Sequence, residues 1–292
     1  MIYGKRWTDR ASHWLITSFM ILVGVICFLP IWYAINVSIL PYKDYVADSI
    51  HLLPRGFTLY NYIKPIQSDP FLIKSFENGL LVTTGTVLLT LFTTIISAFV
   101  LTRSKMAGRR IYSLLFVIPM FFGGGLIPTY LLYQKLGLLN SLGGLMFYGC
   151  LTPYWMLILK ATMESIPPAL EESAFLDGAN EFQVLWYVMI PLCRATLACI
   201  CLMIGVYKWN EFFWAQIVMQ DPAKYTFQVY LRNLFAKIAV ISNITVNTGE
   251  DYSTMTGVRM AITMIGIIPV IVAYPLVQRY FVKGIMMGSI KA

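Results

Sequence analysis

The sequence predicts an all-α, polytopic membrane protein. Six transmembrane helices are expected in a single domain over residues 1–292, with a cytoplasmic helix–turn–helix loop between spans four and five. Three observations predict this. Of the residues, 58% are hydrophobic and only 12% charged, against about 25% charged in an ordinary soluble domain. Uncharged runs long enough to cross a bilayer, about 20 residues, recur along the chain. Lys and Arg gather at the ends of those runs, where positive charge resists translocation. That placement accounts for the net charge of +8 without a nucleic-acid partner.

Span one is 14–42, preceded by Lys5, Arg6 and Arg10. Its apolar run is too long for the core of a signal peptide and lacks a small-residue cleavage site, so it is expected to stay. Residues 43–77 mix charges with Pro and Tyr and are expected as a structured external segment. Span two is 78–102, and Arg103, Lys105, Arg109 and Arg110 crowd the loop before span three, 111–134. Pro119, Gly123-Gly124-Gly125 and Pro128 sit inside that third run. Two readings stand open there. The span is broken at membrane depth, beside protein or a wet cavity, as transporters arrange near substrate paths. Or GGGLIP is an ordinary turn at the outer end, with 131–138 re-entering.

Span four is 136–159. Span five, 195–219, is interrupted by Lys208 and Glu211. Residues 220–259 form a second external segment, with a polar tract at Asn243, Thr245, Asn247, Thr248 and Gly249. Span six, 260–278, closes at Arg279, with Lys283 and Lys291 beyond. The basic clusters share one face if both termini are cytoplasmic. Residues 160–194 then share it too, although Glu164, Glu171, Glu172, Asp177 and Glu181 outnumber Lys160 and Arg194 there. Acids weigh little in orientation, so this loop is expected to serve something besides topology.

The stretch 167–191 has its own local logic. Pro167 and Pro168 suit the opening turn of a helix, where amide donors are spare. Glu171 and Glu172 follow, where the helix dipole favours negative charge. Asp177-Gly178-Ala179-Asn180 reads as a turn, with Gly178 supplying either a positive φ or close backbone approach. A second helical run, 182–190, is expected to stop at Pro191. A helix lying in the membrane interface is the alternative for the first arm, but such helices favour Lys and Arg over acids.

Catalytic chemistry is poorly supplied. His13 and His51 are the only histidines, and no G-x-x-x-x-G-K-[ST] phosphate loop occurs. Cys27, Cys150, Cys193, Cys199 and Cys201 lack metal-ligand spacing and read as small apolar fillers. Lys208 and Glu211 are three apart, so on a helix they can neutralise each other. The sharper reading has Lys208, Trp209, Asn210 and Glu211 lining a path through the membrane, since ionisable groups within a span usually face a bundle interior or wet cavity and an indole can stack on a ring.

The string Glu172-Ser173-Ala174-Phe175-Leu176-Asp177-Gly178-Ala179, followed by Ile190-Pro191, resembles the EAA loop of binding-protein-dependent ABC importer permeases. Ser173 departs from the Ala usual there, small for small. FGGGLIPTYLL at 122–132, Lys208-Trp209-Asn210 and the tail at 278–291 resemble the carbohydrate branch, in particular the second permease subunit of oligosaccharide and alginate-type importers. The resemblance implies a transmembrane permease subunit in a bacterial plasma membrane, both termini cytoplasmic, forming half of a path for an oligosaccharide, an acidic one by this likeness. It implies a second homologous permease subunit, two ABC ATPase subunits and an external solute-binding protein as partners, in membrane lipid. ATP and Mg would sit in the ATPase, with no cofactor on this chain and no enzyme activity of its own. It also implies that the first arm of the elbow docks in a cleft of the ATPase. Glu172 would face basic groups there and Gly178 would let the elbow bend, with Glu171, Ala174, Asp177, Ala179 and Pro191 completing the coupling set. A different class, a membrane-embedded sugar or lipid-linked transferase, would need convergent acids or a metal cluster, and no D-x-D or H-E-x-x-H string occurs.

Overall fold

The computed structural model describes residues 7–47, 51–103, 106–241 and 255–288. Lys5, Arg6, Lys105, Lys291 and the polar tract from Asn243 to Gly249 lie outside the described residues. Every regular element among the described residues is helical. In chain order they are α1 (Trp7–Ser38), α2 (Tyr42–Ala47), α3 (Tyr60–Ser68), α4 (Pro70–Thr102), α5 (Arg109–Phe121), α6 (Leu126–Lys135), α7 (Leu142–Phe147) and α8 (Pro153–Glu164). Then come α9 (Pro168–Leu176), α10 (Glu181–Val184), a π-helical turn (Leu185–Met189), α11 (Ile190–Leu192), α12 (Arg194–Asn210), α13 (Phe213–Val218), a 3-10 turn (Pro222–Lys224), α14 (Phe227–Ile241) and α15 (Met255–Gly288).

The chain divides into two compact units, 1–70 with 233–267 and 71–232 with 268–292. In the first, α1 ends at Ser38 rather than at 42, because Pro41 disfavours helical backbone at the residue before it. Its side chains from Ser12 to Trp32 are exposed within this chain, as suits an apolar helix in lipid. The segment after it is tied back to its end. The buried Asn61 donates to the carbonyls of Ser38 and Leu40, at 3.0 and 3.3 Å, and the Tyr62 hydroxyl reaches Ser38 Oγ. Trp32 Nε1 donates to the Leu52 carbonyl, and His51 stacks on Tyr45.

The second unit is organised along α4. Span two was expected to begin at 78, but the helix starts eight residues earlier, with Pro70 at a position where a missing amide costs nothing. Asn78 and Arg103, just beyond the helix, are about 25 residues apart, or about 37 Å of helix, enough to cross a hydrocarbon core of about 30 Å. Each end has its own core. Near Arg103 lie Ala98, Leu101, Met156, Leu159, Met163, Val184, Met189 and Ile200. Toward Asn78 lie Val82, Tyr133, Leu145, Trp214, Ala215 and Val229. There Asn78 Nδ2 holds the carbonyls of Ala223 and Tyr225, at 2.9 and 3.1 Å. Asn140 binds the neighbouring stretch, donating to Val218 and accepting from the amides of Gln220 and Asp221.

Among the described residues, three helices are long and apolar enough to cross a membrane, α1, α4 and the 255–275 part of α15, or up to five if each of two bent pairs is one span. One bent pair is α5 and α6, which turn by 116°. The chain bends at GGGLIP, as both readings of that stretch require, with Gly125 at φ +80 and Pro128 in the first turn of α6. Residues 136–159 are a correction. They were expected as one continuous span and instead form α7 and α8, parted at 148–152. Gly149 has φ +80, and Pro153 opens α8. The freed carbonyls find hydroxyl donors: Thr93 Oγ1 bonds the Cys150 carbonyl at 2.6 Å and Thr86 Oγ1 that of Met146 at 3.4 Å. Such partners are what permit a broken span in lipid.

Candidate functional site

The elbow is built from two helix caps set back to back. Helix α9 opens with Pro168 at its first position and Glu171 in its first turn, as its residues predict. At its far end the Ala179 amide bonds the Ala174 carbonyl and the Gly178 amide that of Phe175, both at 3.0 Å. This is a Schellman cap with Gly178 in the left-handed position, at φ +85. A Cβ there would meet nothing within 4 Å, so the glycine is required by its backbone angle and not by close approach. Two residues on, Asn180 opens α10 with a capping box. Its Oδ1 accepts from the Gln183 amide at 2.9 Å, and Gln183 Oε1 accepts from the Asn180 amide at 2.8 Å. The corner thus has its hydrogen bonds satisfied locally, between Ala174 and Gln183.

The second arm does not stop at Pro191 but runs from Glu181 to Leu192. Pro191 has no amide and its ring crowds the carbonyl four residues back. The widened π turn, in which the Ile190 amide reaches Leu185, accommodates both. At Cys193 the chain bends by 78° into α12.

The elbow's acids face different ways. Glu172 is exposed, as are Leu176 and the stacked rings of Phe182 and Trp186. Glu171 instead turns inward and pairs with Nη1 of Arg103. The same guanidinium has Nε 3.1 Å from Glu181 Oε2 and lies 4.0 Å over the Phe99 ring. One cation therefore bridges both arms and rests on the core. Ala174 and Ala179 pack against that core, and Asp177 is exposed. From the same short loop, Arg109 donates to the Leu101 carbonyl and, at 2.7 Å, to Glu164, which Lys160 also reaches. The sequence reading gave Arg103 and Arg109 a role in topology only. Their partners lie 68 and 55 residues away, and no local pattern announces them.

At the interruption of span five, Lys208 and Glu211 face each other with Nζ–Oε2 at 3.6 Å and side chains 2% and 8% exposed. Lys208 also lies over the Tyr148 ring, and Glu211 Oε1 accepts from the Trp214 amide at 2.7 Å, fixing the start of α13. Trp209 is buried, stacked on Phe227 and met edge-on by Phe76. Its neighbour Asn210 is exposed and bonds back to the Val206 carbonyl. The four residues read together as a path therefore do not present one surface.

A family model for the inner membrane component of binding-protein-dependent transport systems matches residues 90–287, from the middle of α4 through the elbow to the end of α15. The chain belongs to this family. Among its relatives, Protein LplC of Bacillus subtilis is 32% identical over 273 residues, covering 92% of this chain and 91% of the relative. The polygalacturonan/rhamnogalacturonan transport system permease protein YtcP of the same organism is 32% identical over 289 residues, covering 97% and 99%. A solved structure of a bacterial ABC transporter involved in import of the acidic polysaccharide alginate contains a similar chain. It superposes with a TM-score of 0.85 at 29% identity, covering 94% of this chain and 98% of that one.

This permease is thus a membrane subunit of an ABC importer and not an enzyme, the ATPase being a separate subunit. Its relatives are transport permeases, which leaves the transferase alternative without support.

Proposed function

We propose that this permease forms half of the path of an importer for an acidic oligosaccharide, beside a second, homologous permease. Two ABC ATPase subunits carry ATP and Mg, and an external binding protein delivers the sugar. The observation that carries the coupling role is the elbow. It is a stiff corner, anchored inside by Arg103, that presents Glu172 and Leu176 outward as a helix fit to seat in a basic, apolar-floored cleft of an ATPase. The substrate class rests on two relatives whose names and titles concern polyuronides, polygalacturonan and alginate. Both termini and the elbow are cytoplasmic in this reading, and the segments 43–77 and 220–259 are external.

One experiment tests these points together, in the assembled transporter freed of native cysteines. Cys at Gln220 should react with an impermeant maleimide in intact cells, while Cys at Glu172 should react only after permeabilisation and should cross-link to the ATPase. Vesicles carrying the complex and its binding protein should accumulate oligogalacturonate and not neutral oligosaccharides of equal length. Inverted labelling would overturn the orientation, and equal uptake of both sugars would overturn the acidic preference.

A further inference from the structure

We propose that Arg103 is a positioning residue for transport: it locks the elbow to α4, so that the two move as one body when the ATPase moves. The proposal rests on the reading of α9 as the ATPase-docking helix.

Consider what joins the elbow to the membrane part. Ala174, Ala179, Val184 and Leu185 contact the core through apolar surface, which resists separation but has no direction. The arginine adds direction. It follows α4 without a gap, its amide still bonded to the Val100 carbonyl at 3.2 Å. Its guanidinium is a planar fork beside two carboxylates: Nη1 hydrogen-bonds one, and Nε lies 3.1 Å from the other as an ion pair without hydrogen-bond geometry. One of those, Glu171, stands on α9 and the other, Glu181, begins α10, on either side of the corner at Gly178. Phe99, one turn back on α4 and itself buried, supports the cation from below. The Arg103 and Glu171 side chains are only 24% and 19% exposed, so water competes weakly for that pair; Glu181 is 60% exposed and is the looser of the two holds.

The consequence is mechanical. With α9 hydrogen-bonded to the cation and α10 ion-paired to it, opening of the corner under displacement of α9 is opposed. The displacement passes to α4, a helix with no interior Pro. At the other end of α4, Asn78 grips the carbonyls of Ala223 and Tyr225. A push on the elbow is thereby delivered to the 223–225 turn. A merely topogenic arginine predicts none of this, because Lys serves topology equally well.

The test uses the complete reconstituted transporter and reads substrate moved per ATP hydrolysed, with Glu172→Cys cross-linking to the ATPase as the control. Arg103→Lys keeps the charge but loses the fork. Arg103→Gln loses both, yet it leaves Glu171 and Glu181 in first helical turns, where the dipole still supports a carboxylate. The ratio is expected to fall about two-fold for Lys and at least five-fold for Gln, with cross-linking retained in both. A wild-type ratio in cross-linking-competent Arg103→Lys and Arg103→Gln complexes would overturn the lock. Failure of residue 172 to cross-link in the otherwise unaltered transporter would overturn the docking reading beneath it. Should Arg103→Gln not assemble, Arg103→Lys decides alone: an unchanged ratio refutes the lock and a lowered one supports it.

Discussion

Replacing Lys208 by Met while leaving Glu211 in place would strand a carboxylate that is 8% exposed at the end of α12. At an effective dielectric constant of about 20, two unit charges at this separation attract by about 5 kcal/mol. Most of that attraction offsets the cost of removing both charges from water, so the pair contributes little net stability when intact. The asymmetry appears on breaking it: one buried charge left alone costs about 3–5 kcal/mol. Lys208→Met with Glu211→Gln removes both charges, keeps an acceptor for the Trp214 amide and conserves volume, so its cost should stay within about 1 kcal/mol. Thermal unfolding of the purified complex, run as a double-mutant cycle, should show the single variant melting roughly 10 °C lower and the double near wild type. A single variant no less stable than the double would refute the argument. Uptake then decides the path question: a stable double variant that transports normally removes the pair from any sugar contact.

Two further outcomes follow from the same physics. Thr93→Val deletes the hydroxyl that satisfies the Cys150 carbonyl at the break between α7 and α8. It should lower stability by about 1–3 kcal/mol, while Thr93→Ser stays near wild type; equal melting of the two would refute the assignment. Gly178→Val must place a β-branched residue at φ +85, at about 1–2 kcal/mol or more, and should impair co-purification of the ATPase. Gly178→Asn, which enters left-handed backbone readily, should be tolerated, and equal damage from both would mean that space rather than φ is limiting.

Local chemistry was legible in the sequence and long-range partnership was not. Pro168, Glu171 and the Asp177-Gly178 corner were readable because capping depends on neighbours a few residues apart. The Asn180–Gln183 capping box is equally local, but the turn signal that precedes it masks it. Gly149 and Pro153 carry the same signal as the Gly–Pro cluster of span three, yet apolar length alone made 136–159 look continuous. What makes that break tolerable, hydroxyls on α4, is set by packing. Trp209 looked available to a sugar because nothing nearby in sequence reveals that Phe227 covers its face.

The two ends of α4 are fastened by different kinds of bond. Around Asn78 and Asn140 the fastening is mainly amide to carbonyl, whereas around Arg103 and Arg109 it is guanidinium to carboxylate. Ionic strength therefore acts on the molecule unevenly. As the screening length shrinks from about 8 Å toward 3 Å, the half-exposed Arg109–Glu164 pair weakens first and the more enclosed Arg103 pair less. The amide-held end keeps its shape throughout. Salt is thus a reagent that loosens the seat of the elbow while leaving the far end of the same helix as it was.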